Sequence, residues 1–303
     1  MTAFAMDDLQ LVQQRMLEGQ TACANVFSVD VEEWFQVGAF ESTLSRDDWP
    51  KLESRVEHQT ETILEILSSA KVTATFFCLG WVAERAPGLI ARIADAGHEI
   101  GCHGMDHQRV FRFSPDEFYS DVTNAKALLE DAGGRPVKGY RAPSFSMSRE
   151  TWSHYEKLNE AGFEYSSSLV PAKTDHYGSA GMPRTPFYPL KSSRLIEVPM
   201  TVAAFGQKTV PASGGGYFRL LPTIVSEWLG ERARNQTGIG TIFYMHPWEL
   251  DPDQPYIANA PLLSRFRHYT GQKAMAAKIA SLLSRRNYMR MDRFLDEYFE
   301  GTN

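Results

Sequence analysis

His103 and His107, in the run His-Gly-Met-Asp-His, are four residues apart and of the type that grips a metal ion. If that segment coils into a helical turn, both imidazoles point the same way. The spacing also arises by chance, and Asp106 between them is equally suited to a surface position. Asp30, Glu32 and Glu33 form an acidic cluster followed at once by Trp34 and Phe35. Carboxylates beside such bulky apolar groups are costly unless they bind something. Two histidines and one carboxylate leave positions open for water, a pattern that suits hydrolytic zinc. A second carboxylate is then available as a general base.

Two further groups suit the same chemistry. His246 stands in Phe-Tyr-Met-His-Pro-Trp-Glu, and opposite an activated water it could protonate a leaving amine. A lone histidine there is more often structural. Arg141, in Arg-Ala-Pro-Ser, could pair with the base and keep it ionised, or form an ordinary salt bridge.

The elements that must position these groups are short apolar runs alternating with helical stretches. Strands are expected over residues 26–29, 74–79, 99–102, 137–140, 163–165, 196–200 and 241–245. Helices are expected over 49–67, 81–94, 148–161, 222–234 and 261–283. Another begins at Ser114 as N-cap, with Pro115 next and Glu117 closing a capping box, and stops at Gly133–Gly134. Alternating strands and helices predict a parallel sheet, and this number of units fits a barrel better than two stacked domains, with an open doubly wound sheet as the alternative. In such a barrel chemistry sits at the C-terminal strand ends. Four expected strands run directly into Asp30, His103, Arg141 and His246, so one rim is expected to collect them. The Pro/Gly/Ser-rich stretch 171–193 reads as a long surface loop.

Composition narrows the class. Of 303 residues, 43% are hydrophobic and 22% charged, ordinary for a folded soluble protein. A net charge of −6 argues against nucleic acid as a partner. Cys23, Cys78 and Cys102 form no CxxC pair and read as reduced thiols, which favours the cytoplasm. Residues 1–20 lack the basic head and apolar run of a secretory signal, and no stretch has the ~20 apolar residues that span a bilayer. Aromatic faces at Trp34, Tyr217 and Trp248 are candidates for stacking on sugar rings, although buried packing is their commoner fate. The run Ser213-Gly214-Gly215-Gly216 permits close backbone approach, or is only a flexible turn.

From residue 26 to residue 249 these motifs resemble the polysaccharide deacetylases, the NodB homology domain of carbohydrate esterase family 4. The match looks closest to the subgroup associated with exosortase and exopolysaccharide clusters. The family's Thr-Phe-Asp-Asp-Gly becomes Ser28-Val29-Asp30-Val31-Glu32, its His-Ser-x-x-His becomes His103 to His107, and its Arg-x-Pro becomes Arg141-Ala142-Pro143. The resemblance implies a distorted (β/α)7 barrel with Asp30 as catalytic base, Arg141 orienting it, and His246 as general acid. It implies metal binding by His103 and His107, and an oxyanion held by the backbone N–H of Ser144. Val31 stands where the family has a ligating Asp, so Glu32 is expected to supply that carboxylate. The Asp of the family's fourth motif is missing from 162–168.

The implied activity is hydrolysis of N-acetyl groups on an amino-sugar polymer with one divalent ion, most simply zinc, in exopolysaccharide biosynthesis. A small-amide hydrolase and a non-catalytic carbohydrate-binding protein are the rival readings. Residues 1–20 are expected as an extension and 21–303 as one catalytic domain, with a subgroup extension from about residue 250. The cytoplasm, at the inner membrane surface, is the expected location.

Overall fold

The computed structural model describes residues 9–14, 24–174 and 178–299. Cys23 and most of the expected 1–20 extension lie outside them. The chain runs through β1 (Gln10–Leu11), β2 (Asn25–Val31), α1 (Val56–Ala70), β3 (Thr75–Cys78), α2 (Gly80–Arg85), α3 (Pro87–Asp95) and β4 (Glu99–Cys102). It continues through α4 (Pro115–Gly133), β5 (Gly139–Tyr140), α5 (His154–Glu160), β6 (Tyr165–Ser166), β7 (Phe187–Tyr188) and β8 (Ile196–Glu197). A hairpin of β9 (Val202–Phe205) and β10 (Lys208–Pro211) follows, then α6 (Gly215–Leu220), α7 (Thr223–Thr237) and β11 (Ile242–Met245). The described chain ends with α8 (Leu262–Tyr269), α9 (Gln272–Arg285), β12 (Tyr288–Met289) and α10 (Met291–Tyr298).

The seven strands in the order β8-β6-β5-β4-β3-β2-β11 are mutually parallel, as alternation with helices requires. β7 and β1 extend the β8 edge antiparallel, and β12 adds to β2. The expected strand count is thus present, but no backbone ladder joins β8 to β11 among the described residues. Side chains span that seam instead. Ile242 N donates to Thr201 Oγ1 at 2.7 Å, and Ser213 Oγ donates to Ile242 O. Val198, Met200, Val202 and Ile242 pack together at the same place.

Apolar layering fixes which way each strand faces. Phe27, Val29 and Val31 are fully buried in the largest core, together with Ile63 and Leu67 of α1. Each such side chain contributes on the order of 2 kcal/mol by leaving water. Ser28 and Asp30, one residue out of phase, turn to the opposite side of the pleat. Ser114 and Glu117 form the expected capping box at the start of α4.

Several expected helices are corrected. The stretch 81–94 is two helices, because Pro87 has no N–H to continue α2 and instead starts α3. The stretch 261–283 breaks at Gly271, whose φ of 85° ends one helix and begins the next. Residues 49–67 become a 3-10 turn, Arg46–Lys51, followed by α1 from Val56. The loop 171–193 contains β7, and the β9–β10 hairpin was not expected. No helix among the described residues is long and apolar enough to cross a membrane.

Candidate active site

Register alone sets the rim. Val31 pairs with Cys78, Cys78 with Cys102, and Cys102 with Tyr140. The residues that follow, including Glu32, His103 and Arg141, therefore leave the sheet at one level. Met245 pairs with Val29, which brings His246 beside them. Asp30, Glu32, His103, His107, Ser144, His246 and Trp248 line a single cleft of about 380 Å³.

Glu32, His103 and His107 place one ligand atom each within 4.8 Å of the others. They do so without the helical turn the spacing suggested. Residues 103–107 form a bent loop, and His107 takes the left-handed φ of 60°. Arg141 O accepts from His103 Nδ1 at 2.8 Å, which fixes the tautomer and leaves Nε2 as a lone-pair donor. Burial holds the His103 imidazolium down at about 4, so the ring is neutral near pH 7. For the Glu32 carboxyl, burial works upward, yet His107 and then His246 outweigh it and hold the group at about 2. Glu32 Oε2 lies 2.8 Å from His107 Nε2 but without hydrogen-bond directions, so this buried oxygen has no hydrogen-bond partner. An ionised, unpartnered oxygen facing two imidazoles fits a divalent cation.

The acidic cluster divides its labour. Asp30 Oδ1 accepts from Arg141 Nη1 at 2.6 Å, deep in the barrel. Arg141 has no exposed surface, and it also donates to Ser28 Oγ, Ser167 O and Ser167 Oγ. Its guanidinium carbon stands 4.1 Å over the Phe77 ring. Ser167 and Ser168 thus occupy the region that lacks the family's fourth-motif Asp, and Ser168 Oγ accepts from Ala142 N. Glu33 faces away, taking Ser54 Oγ and Arg55 N, and anchors the approach to α1.

His246 is supported by Glu249, a residue that no sequence motif marks. Glu249 Oε1 lies 3.0 Å from His246 Nδ1 and accepts His246 N at 3.1 Å. Glu249 Oε2 lies 3.3 Å from Arg219 Nε, both side chains almost wholly buried. Burial works against the His246 cation, but Glu32 and Glu249 prevail and push it up to about 9. The glycine run is therefore more than a flexible turn. A Cβ on Gly215 would meet Glu249 Oε1 at 1.9 Å, so only glycine admits that carboxylate.

The aromatic expectations divide. Trp34 is 1% exposed and donates to Glu53 O, so it has no face for a sugar. Tyr217, on α6, lies outside the lining of this cleft and borders a different pocket. Trp248 lines the cleft but is only 7% exposed, and its ring stacks on His246 and His268. Its Nε1 donates to Glu32 Oε1 at 3.1 Å, which orients the carboxylate. Arg109, Tyr244 and, from α8, Leu263 and Arg267 also line the cleft. The sequence carried no signal for them, since loop and extension residues reach a site only through packing.

The cleft is consistent with what the chain is similar to. The polysaccharide deacetylase family profile matches residues 40–165, less than half the chain, and a domain of unknown function (DUF3473) matches 167–296. A peptidoglycan-N-acetylglucosamine deacetylase of Bacillus cereus is 36% identical over 103 residues, covering 34% of this chain and 36% of that protein. A chitooligosaccharide deacetylase of Bradyrhizobium sp. is 34% identical over 108 residues, covering 35% of this chain and 49% of that one. The chain thus spans between a third and a half of the length of such curated relatives. A crystal structure from Mycobacterium smegmatis, assigned as a polysaccharide deacetylase, superposes with a TM-score of 0.61 at 21% identity. That match covers 93% of this chain and 91% of the other, and it shows a shared fold. His103, His107 and Arg141 fall within the first matched segment and His246 within the second, while Asp30 and Glu32 precede both. Over residues 40–165 this chain thus carries a polysaccharide deacetylase domain, on a fold shared with that crystal structure over most of its length.

Proposed function

We propose that this protein hydrolyses N-acetyl groups on the amino sugars of a polysaccharide or oligosaccharide, in exopolysaccharide biosynthesis, with one divalent metal ion, zinc by preference. The observation that carries this reading is the placement of three potential metal ligands between a buried Asp30–Arg141 pair and a His246–Glu249 pair in one cleft. Glu32, His103 and His107 would hold the ion, which when bound polarises the acetamide carbonyl and acidifies water.

The chain's own groups then divide the proton transfers. Asp30, held by Arg141, accepts a proton from the attacking water. The N–H groups of Arg141, Ala142, Phe145 and Ser146 are engaged by Cys102 O, Ser168 Oγ, Ala142 O and Pro143 O. Pro143 has none, which leaves the Ser144 N–H to receive the oxyanion. Ser144 and Phe145 hold left-handed φ values of 54° and 48°, the local strain that such sites store. His246, cationic at neutral pH, delivers its proton to the departing amine, and Glu249 and Arg219 fix its ring.

The stretch from residue 24 acts in this reading as one catalytic unit. Its segment past residue 250 contributes a cleft wall, because Pro261, Leu263 and Arg267 line the site. A reducing compartment, the cytoplasm, suits the unbonded Cys78 and Cys102, register partners in adjacent strands. The test is metal content with acetate release from N-acetylglucosamine oligomers, for wild type beside His103→Ala. One ion per chain, lost with acetate release in the variant, supports the proposal; a folded wild type that takes up no ion refutes it.

A further inference from the structure

A second cavity of about 270 Å³ adjoins the cleft, and His107, Arg109 and Ser144 line both. Its charged walls are Arg46, Arg109, Arg112 and a single carboxylate, Glu41. Glu41 serves two of the three cations, with Arg109 Nη2 at 3.0 Å and Arg112 on its other oxygen. Arg46 pairs with Asp106 from outside the cavity. Three guanidiniums against two carboxylates leave a positive charge uncompensated, in a chain whose net charge is −6.

A second, independent observation concerns the uncharged walls. Gln36 and Trp49, 4% and 7% exposed, line the same cavity. Gln36 Nε2 and Trp49 Nε1 are both buried donors without a hydrogen-bond partner. Gln36 Oε1 accepts Glu33 N at 2.9 Å, so the orientation of this amide is fixed with its NH2 unused. A buried donor left without an acceptor is costly, and both of these side chains border the cavity. Gly38 keeps the junction open, since a Cβ there would come within 3.0 Å of Arg109 Nη2. The cavity therefore offers guanidinium forks and N–H donors but few acceptors. That chemistry selects a carboxylate, whose two oxygens match a guanidinium fork.

We propose that this groove binds the carboxylate of a sugar adjoining the one deacetylated, so that the substrate is an acidic polymer carrying both N-acetylated and carboxylated units. The inference rests on the deacetylase reading for the reaction, but the groove is tested by binding. The experiment is calorimetric titration with oligosaccharides alternating N-acetylglucosamine and glucuronic acid, against neutral N-acetylglucosamine oligomers of equal length, with acetate release followed in parallel. The acidic oligomer is expected to bind roughly tenfold tighter at low salt, one charge-assisted contact's worth. That advantage should shrink as salt is added.

The double variant Arg46→Gln/Arg112→Gln is expected to lose the preference, and Trp49→Phe, which removes one orphan N–H, to reduce it several-fold. Thermal denaturation identifies which variants are folded, and Trp49→Phe serves if the arginine variant is not. Equal affinity for the two oligomers overturns the inference, as does a preference that survives in the folded arginine variant. Preferential binding of the acidic oligomer through these arginines, with no acetate released from either, counts against the proposed reaction and upholds the groove.

Discussion

The Glu32 carboxylate meets the His107 imidazole at 2.8 Å, Oε2 to Nε2, without forming a hydrogen bond. Two groups that close normally share a proton along the line between them. Together with a ring nitrogen of His103 their ligand atoms lie within 4.8 Å of one another, close enough to share one ion. The reach of Glu32 is what permits this, because Val31 is committed to the apolar layer behind the sheet. Glu32→Asp should therefore fail nearly as badly as Glu32→Ala. Both are expected to lower divalent-metal affinity by about a hundredfold or more, read as metal retained after dialysis. Normal metal content in a folded Glu32→Ala protein would remove Glu32 from the ligand set.

Asp30→Asn should leave metal content unchanged and reduce turnover by roughly a hundred- to ten-thousand-fold. Asparagine keeps the shape and an acceptor for Arg141 but cannot take a proton. Asp30→Ala is predicted to behave differently, destabilising the fold by about 3–5 kcal/mol because a fully buried Arg141 loses its counter-charge. Acetate release and urea unfolding on the two variants separate the effects, and a fully active Asp30→Asn protein rules out the base assignment.

Glu249→Gln tests the acid. Glu249 is one of the groups that raise His246, so its neutralisation lowers the pH at which the imidazolium deprotonates. A general acid works only while protonated, so the basic limb of the kcat–pH profile should move to lower pH in the variant. An unmoved basic limb would assign proton delivery to another group.

Asp121, which supports the loop between His103 and His107, offers a test read in stability instead of turnover. Burial raises its carboxyl to about 7 in the folded chain from an ordinary 3.8, while Oδ2 accepts Met105 N at 3.1 Å. A raised acid favours the fold while protonated, and that contribution disappears as pH rises between these values. Asp121→Asn keeps an acceptor for Met105 and does not titrate. Its stability relative to wild type should therefore improve from pH 4 to pH 8, by at most about 4 kcal/mol. Urea midpoints at both pH values check this, and a difference independent of pH contradicts it.

Much of the site was legible because its residues sit at strand ends. Alternation of apolar runs and helical stretches gave a parallel sheet, and the ionisable group after each run marked the rim. Asp30, His103, Arg141 and His246 follow from that logic, since register places strand ends together wherever parallel strands pair. Local chemistry was equally readable at Ser114 and Glu117, where a cap involves only residues three apart. The Trp34 expectation failed because an aromatic beside an acidic cluster has the same composition whether its ring faces solvent or a core.

What the sequence by itself determined was the set of strand-end groups, the parallel α/β arrangement and the family motifs, all carried by contacts near in the chain or by regular pairing. Only the tertiary structure decided what depends on residues far apart meeting face to face. Glu249 became the partner of His246 because Arg219 and Gly215 close around it. Ser167 came to hold Arg141 in the place of a missing Asp, and side chains instead of a ladder spanned the seam between β8 and β11. Helix breaks at Pro87 and Gly271 set where α3 and α9 begin, and with the second break α8 turns to form a cleft wall. Such pairings have no periodicity or local spacing to announce them, since they arise from how the layers pack.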